Sequence, residues 1–105
     1  MKSLSKMSKK DKGYVCECYA KILAIRYGYE PHASDREGGK IDIMWAHMET
    51  KEVIKIDVKM ASYRKAEGTL IYRTPSAIQK QLGVIILYID IDEDCNLKKH
   101  WWGNA

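Results

Sequence analysis

Asp57 and Lys59 stand two apart in the run Val53-Ile54-Lys55-Ile56-Asp57-Val58-Lys59-Met60. Residues two apart on a β-strand project from one face. A strand here therefore sends a carboxylate and an ammonium out together and turns Ile54, Ile56 and Val58 inward. Asp42 lies between Ile41 and Ile43 in an apolar run that reads as the preceding strand, Ile41–Ala46. An acid bracketed by isoleucines is costly to desolvate unless it has a partner. If the two strands are neighbours, Asp42 and Asp57 converge. Two carboxylates and an ammonium on one sheet face suit a hard cation with oxygen ligands. Glu17 supplies a third carboxylate if it lies on a helix above that face. Such a set fits phosphodiester hydrolysis, in which a carboxylate-bound magnesium neutralises the phosphate and ionises a water, and a lysine serves the water or the transition state. The plainer readings are an Asp57–Lys59 surface ion pair, worth little, and a Glu17–Lys21 pair one helical turn apart.

Residues 11–27 contain no proline, and Gly28 follows as a helix stop. At 100° per residue, Gly13, Cys16, Glu17, Ala20, Leu23, Ala24 and Tyr27 share one small-sided, apolar arc on which Glu17 is the one acid. Cys18, Ile22 and Ile25 form a second apolar strip, and a helix apolar on two sides is covered on two sides. A second copy of the chain is expected to supply that cover. Cys16 and Cys18 fall on opposite sides of the helix and cannot share a metal.

The remaining elements follow from pattern. Tyr29–Ala33 reads as a short edge strand bearing Pro31, and residues 34–40 as a polar, glycine-bearing loop. Val53–Met60 alternates, residues 61–68 connect, and Thr69–Arg73 reads as a further short strand. Thr74-Pro75-Ser76 opens a short helix with Pro75 at its first position and Gly83 at its stop. Val84–Ile91 and Leu97–Trp102 read as a final hairpin. The sum is an α/β fold, a small mixed β-sheet with a covering N-terminal helix. Asp90-x-Asp92-x-Asp94-x-Asn96 lacks the glycine and the closing glutamate of a calcium loop and reads as a polar turn. Trp101 and Trp102 read as a packing plug or subunit contact ahead of a base-stacking platform.

The 105 residues suit one domain: a basic, flexible arm over residues 1–10 and a single domain over 11–105. Of the 18 basic and 14 acidic residues, five lysines and one aspartate fall within residues 1–12, so the net charge of +4 sits in that segment. It reads either as a solubilising tail or as an arm that tracks phosphates. No secretory signal or membrane span is legible. Three cysteines without a signal suggest reduced thiols and an intracellular setting.

The string Lys12-Gly13-x-x-x-Glu17, Gly28-Tyr29, Ser34, Ile41-Asp42-Ile43 and Ile56-Asp57-Val58-Lys59 resembles the PD-(D/E)XK nuclease superfamily. In order and spacing it is similar to archaeal-type Holliday-junction resolvases. Val53–Ser62 followed by Gly68 and Arg73 also resembles PD-(D/E)XK homing endonucleases. The likeness covers residues 12–73. The chain departs from it in carrying Asp57 where glutamate is commoner, and in the shortness of the helix after residue 74.

The resemblance implies a restriction-endonuclease-like core. It makes Glu17, Asp42 and Asp57 ligands of Mg2+, which Mn2+ can replace, Lys59 the catalytic lysine, and Ser34 a loop residue near the scissile phosphate. The partner implied is DNA, branched or palindromic, bound by a homodimer. Lys9 and Lys10 of the arm, Lys12 just beyond it, Arg36 and Lys40 of the polar loop, and Arg64, Lys65 and Arg73 are the expected DNA-binding residues. A structure-specific endonuclease is the first expectation, a sequence-specific homing or restriction-type enzyme the second, and an inactive DNA-binding module of the same fold the third.

Overall fold

In the computed structural model, which describes residues 1–33 and 40–103, the Ser8 hydroxyl accepts from the Asp11 amide at 3.1 Å and caps helix α1, Lys9–Arg26. Asp11 in the first turn and Arg26 in the last complement the helix dipole. The helix thus starts two residues earlier than its apolar periodicity suggests, because the cap lies among the polar lysines. The arm is also tied down at one point. A single 3-10 turn, Leu4–Lys6, is held by Glu93, whose carbonyl accepts from the Leu4 amide at 2.8 Å and whose carboxylate accepts from the Ser5 hydroxyl at 2.6 Å. The bonds from Ser5 to that carboxylate lower the Glu93 pKa.

Five strands form one sheet in chain order: β1 Tyr29–Ala33, β2 Ile43–His47, β3 Val53–Met60, β4 Ile85–Ile91 and β5 Leu97–Trp102. All neighbours are antiparallel except β3 and β4, which run parallel. A parallel pair needs a crossover, and residues 61–84, with the short helix α2 (Ala77–Leu82), provide it. The small α/β fold with a mixed sheet and a covering N-terminal helix is therefore as the sequence indicates.

The alternation in β3 decides which residues go to which side. Ile54, Ile56, Val58 and Met60 face α1, as do Ile43, Trp45, Leu87, Ile89 and Ile91. Against them α1 packs Cys16, Ala20, Leu23 and Ala24, all almost fully buried. The small Cys16, Ala20 and Ala24 let the helix lie close to the sheet. Ile56, at the centre of this layer, is fully buried, and truncation to alanine there costs about 2–5 kcal/mol. Trp101 stacks on Tyr88 at 5.3 Å, and Trp102 meets Trp45 edge-on at 5.3 Å, so both tryptophans pack. Gly103 follows them because its Cα lies against Tyr88, where an added Cβ would come within 2.7 Å of the ring.

Three sequence expectations are corrected. Strand β2 begins at Ile43, not Ile41, so Asp42 precedes the strand. Thr69–Arg73 does not join the sheet: the crossover folds back on itself, with Tyr63 bridged to Leu70 and the Ile71 amide bonded to the Ser62 carbonyl. Pro75 precedes the cap of α2 rather than following it, because Ser76 is the cap residue. Ser34 and Arg36 lie outside the described residues.

Candidate active site

The end of β3, the residues before β2 and the start of α2 enclose a cleft of about 530 Å³. It is lined by Glu17, Lys40, Asp42, Asp57, Val58, Lys59, Thr74, Ser76 and Gln79. The four residues singled out by type and spacing, Glu17, Asp42, Asp57 and Lys59, thus share one concavity. Lys40 from the polar loop joins them.

Each acid is there for a local reason. Asp57 sits mid-strand between two residues committed to the α1 core, so its side chain has to project from the second face. Asp57 is nearly buried, and the Lys59 ammonium lies 3.4 Å from its Oδ2, while the Lys59 side chain as a whole is 41% exposed and borders the open cleft. Asp42 is just outside β2. Its amide donates to the Ile56 carbonyl at 2.9 Å, and its Oδ2 accepts from the Val58 amide at 2.8 Å. The residue is bonded across the strand gap through both backbone and side chain.

Asp57 lies close enough to Asp42 to perturb its carboxyl. Burial pushes the Asp42 carboxyl up from 3.8 to about 7, and hydrogen bonding to Asp57 adds to this. The Val58 amide opposes the shift, while the negative charges of Asp57 and Glu17 reinforce it. Two carboxylates that cannot both ionise comfortably form a donor set suited to a divalent cation with a preference for oxygen. Glu17 lines the cleft but does not close on that pair. Among the described residues, no three carboxylate, imidazole or thiol groups gather tightly enough to hold an ion by themselves. Nor does any ion pair among the described residues join Glu17 to Lys21.

Gln79 is the main addition to the expected set. Its Nε2 donates to the Lys40 carbonyl at 2.9 Å and to Asp57 Oδ2 at 3.2 Å. Its backbone and Oε1 complete a capping box with Ser76, which locks the side chain's origin. Thr74 and Ser76 bring hydroxyls to the same wall. The Ser76-x-x-Gln79 spacing is a readable helix-start signal, but nothing in it points to Asp57.

The other expected DNA-binding residues are dispersed. Arg64 is committed in part to the crossover, its Nη1 lying 3.3 Å from the Leu70 carbonyl and 3.4 Å from the Thr69 hydroxyl. Lys65 and Arg73 are exposed on the same segment, and Lys9, Lys10 and Lys12 lie on the first turn of α1. Asp92, in the turn read as polar, accepts through Oδ1 from the Asp94 and Asn96 amides, each at 2.9 Å, and holds the β4–β5 hairpin. Cys16 is buried and Cys18 exposed, and burial pushes the Cys16 thiol up to about 11, so it stays protonated. Among the described residues, no helix is long and apolar enough to cross a membrane. No protein-family model, curated protein or solved structure matches the chain.

Proposed function

We propose that this chain is a metal-dependent DNA endonuclease of the PD-(D/E)XK type, acting as a dimer on branched DNA. The observation that carries the reading is the convergence of Asp42, Asp57, Lys59 and Glu17 on one polar cleft, with Lys59 3.4 Å from Asp57. A carboxyl whose pKa is strongly raised by burial, set in a cleft beside a second carboxylate and a lysine, is a pattern that functional sites share.

Asp42 and Asp57, with Glu17 on the wall, would hold a magnesium ion, which supplies charge neutralisation at the phosphate and a water ionised near neutral pH. Gln79 fixes the orientation of the Asp57 carboxylate, and the Val58 amide fixes that of Asp42. Lys59 is held by its attraction to Asp57 yet remains partly solvated, so it can donate to the attacking water or to the extra charge on the phosphate in the transition state. Lys40, Thr74 and Ser76 offer further donors to phosphate oxygens. The small surface leaves little room for reading a long sequence, which favours recognition of DNA shape.

A panel of four-way junction, flap, single strand and duplex, incubated with magnesium, tests the proposal. The wild type should cut branched DNA. Asp57→Asn and Lys59→Ala should lose nearly all cleavage while binding the same DNA. Retained binding with no cleavage of any substrate by the wild type would leave a DNA-binding module instead. Full activity in either variant removes the site assignment.

A further inference from the structure

Tyr72 combines features that the cleft chemistry does not use. Its side chain is 77% exposed. Among the described residues, no aromatic ring packs on it, and its hydroxyl takes part in no hydrogen bond. Its backbone is nevertheless pinned on both sides. The Ile71 amide donates to the Ser62 carbonyl at 2.8 Å, and the Arg73 amide donates to the Tyr88 hydroxyl at 2.6 Å. Tyr88 is itself almost wholly buried and stacked on Trp101.

A second latch holds the base of the same crossover, where the Tyr63 hydroxyl donates to the buried Asp90 carboxylate at 2.9 Å. Here the tethering leaves a large ring facing solvent. An exposed ring on a mobile tail loses much of its binding energy to ordering, whereas one on a fixed backbone does not.

Residues 61–74 carry three basic side chains, Arg64, Lys65 and Arg73, against one acid, Glu67, and lead to the cleft; Arg73 adjoins Tyr72 in sequence. Thr74, two residues on and within about 7 Å of chain, lines the same cleft as Asp57 and Lys59. A fixed, exposed aromatic face on a net-basic segment suits a nucleobase stacked over its own backbone. Bases inside a duplex are stacked on each other and offer no free face. Unpaired bases do.

We infer that Tyr72 is a stacking platform for an unpaired base beside the scissile phosphate, so that the substrate is DNA in which the nucleotide next to the cut is free of the duplex stack. This rests on the nuclease reading of the cleft and narrows its substrate to forks, flaps, branches with open centres and single strands.

Fluorescence anisotropy in the absence of magnesium tests the inference apart from catalysis. A forked DNA and a fully paired duplex of the same length are titrated with wild type, Tyr72→Ala, Tyr72→Phe and Tyr72→Trp. Tyr72→Ala should weaken binding of the fork by about 5- to 150-fold, the usual worth of one stacked base, and leave duplex binding unchanged. Phenylalanine and tryptophan should restore fork binding. A fork with 2-aminopurine at the unpaired position should be quenched by the wild type and not by Tyr72→Ala. An equal loss on both DNAs, or no loss on the fork, overturns the platform. Magnesium-dependent cleavage by the wild type, measured in parallel, reports on the nuclease reading alone. Fork-selective loss of binding without any cleavage would therefore keep the platform and discard the nuclease.

Discussion

Gln79 donates through Nε2 to Asp57 Oδ2 at 3.2 Å, the same oxygen that the Lys59 ammonium approaches at 3.4 Å. The glutamine also bonds the Lys40 carbonyl, so one amide group joins α2, β3 and the segment before β2. Replacing it by glutamate keeps an acceptor for the Ser76 amide and so preserves the capping box. It removes the donor to Asp57 and sets a third negative charge against the acid pair. Gln79→Glu should fold normally and cleave on the order of 10- to 100-fold more slowly, the range expected for one hydrogen bond to a charged group. The loss should fall on kcat rather than KM. Wild-type rates in Gln79→Glu would reduce the residue to a helix cap.

Much of the site is legible from the period of a single strand. The alternation through Val53–Met60 separates Asp57 and Lys59 from Ile56 and Val58 with no other knowledge, and the isoleucines flanking Asp42 show that it must be partnered. Gln79 is illegible because its role depends on the crossover returning α2 to the second face of the sheet, a tertiary event. Thr69–Arg73 misleads for a similar reason. Its residues suit a strand, but β4 already occupies the place beside β3, and the segment pairs instead with residues 62–64. The start of α1 is hidden among lysines, although Ser8-x-x-Asp11 carries a capping pattern.

Asp42 makes stability depend on pH in a direction opposite to that of most acids. Its pKa is raised on folding, from 3.8 to about 7, chiefly by burial and then by Asp57. The folded protein therefore binds a proton that the unfolded chain releases. The stabilisation is complete below about pH 4 and is lost as pH rises through about 7. Without metal, the wild-type Tm should fall between pH 5 and pH 8 relative to that of Asp42→Asn, which cannot titrate there. If Asp42 holds magnesium as proposed, the ion has to displace the proton, and its stabilising effect should grow over the same interval. A wild-type Tm that rises with pH relative to that of Asp42→Asn would contradict the raised pKa.

The lysines of the first ten residues can be tested only by changing charge. Truncation would also delete the Ser8 cap of α1 and the Ser5–Glu93 bonds, confusing an effect of charge with an effect of folding. Replacing Lys2, Lys6, Lys9 and Lys10 by glutamine keeps both. If these lysines meet phosphates, the slope of log affinity against log salt should flatten by up to about 0.9 for each phosphate no longer neutralised. An unchanged slope would mark the segment as a solubiliser.

Helix α1 leaves a second apolar strip in solvent. Tyr14, Ile22 and Ile25 are 58%, 51% and 67% exposed, and Cys18 lies between them, exposed as well. The spacing of four, four and three residues puts all of them on the side away from the sheet. The other face of α1 is occupied by Cys16, Ala20, Leu23 and Ala24 against the core, so the helix cannot roll to hide this strip. The second helix, α2, is only six residues long and is engaged at the cleft. In the proposed dimer a second copy of the chain would cover this strip and bring two clefts to one DNA under two-fold symmetry, as paired cuts require. Ile22→Glu places a charge in the middle of the strip and should convert the dimer to a monomer by light scattering, with little effect on folding because the position is exposed. Glu17→Gln, on the other side of the helix, should leave the dimer intact and impair cleavage. A wild type that is monomeric both free and on DNA would refute the pairing. Unimpaired cleavage by Glu17→Gln would leave the site to Asp42, Asp57 and Lys59.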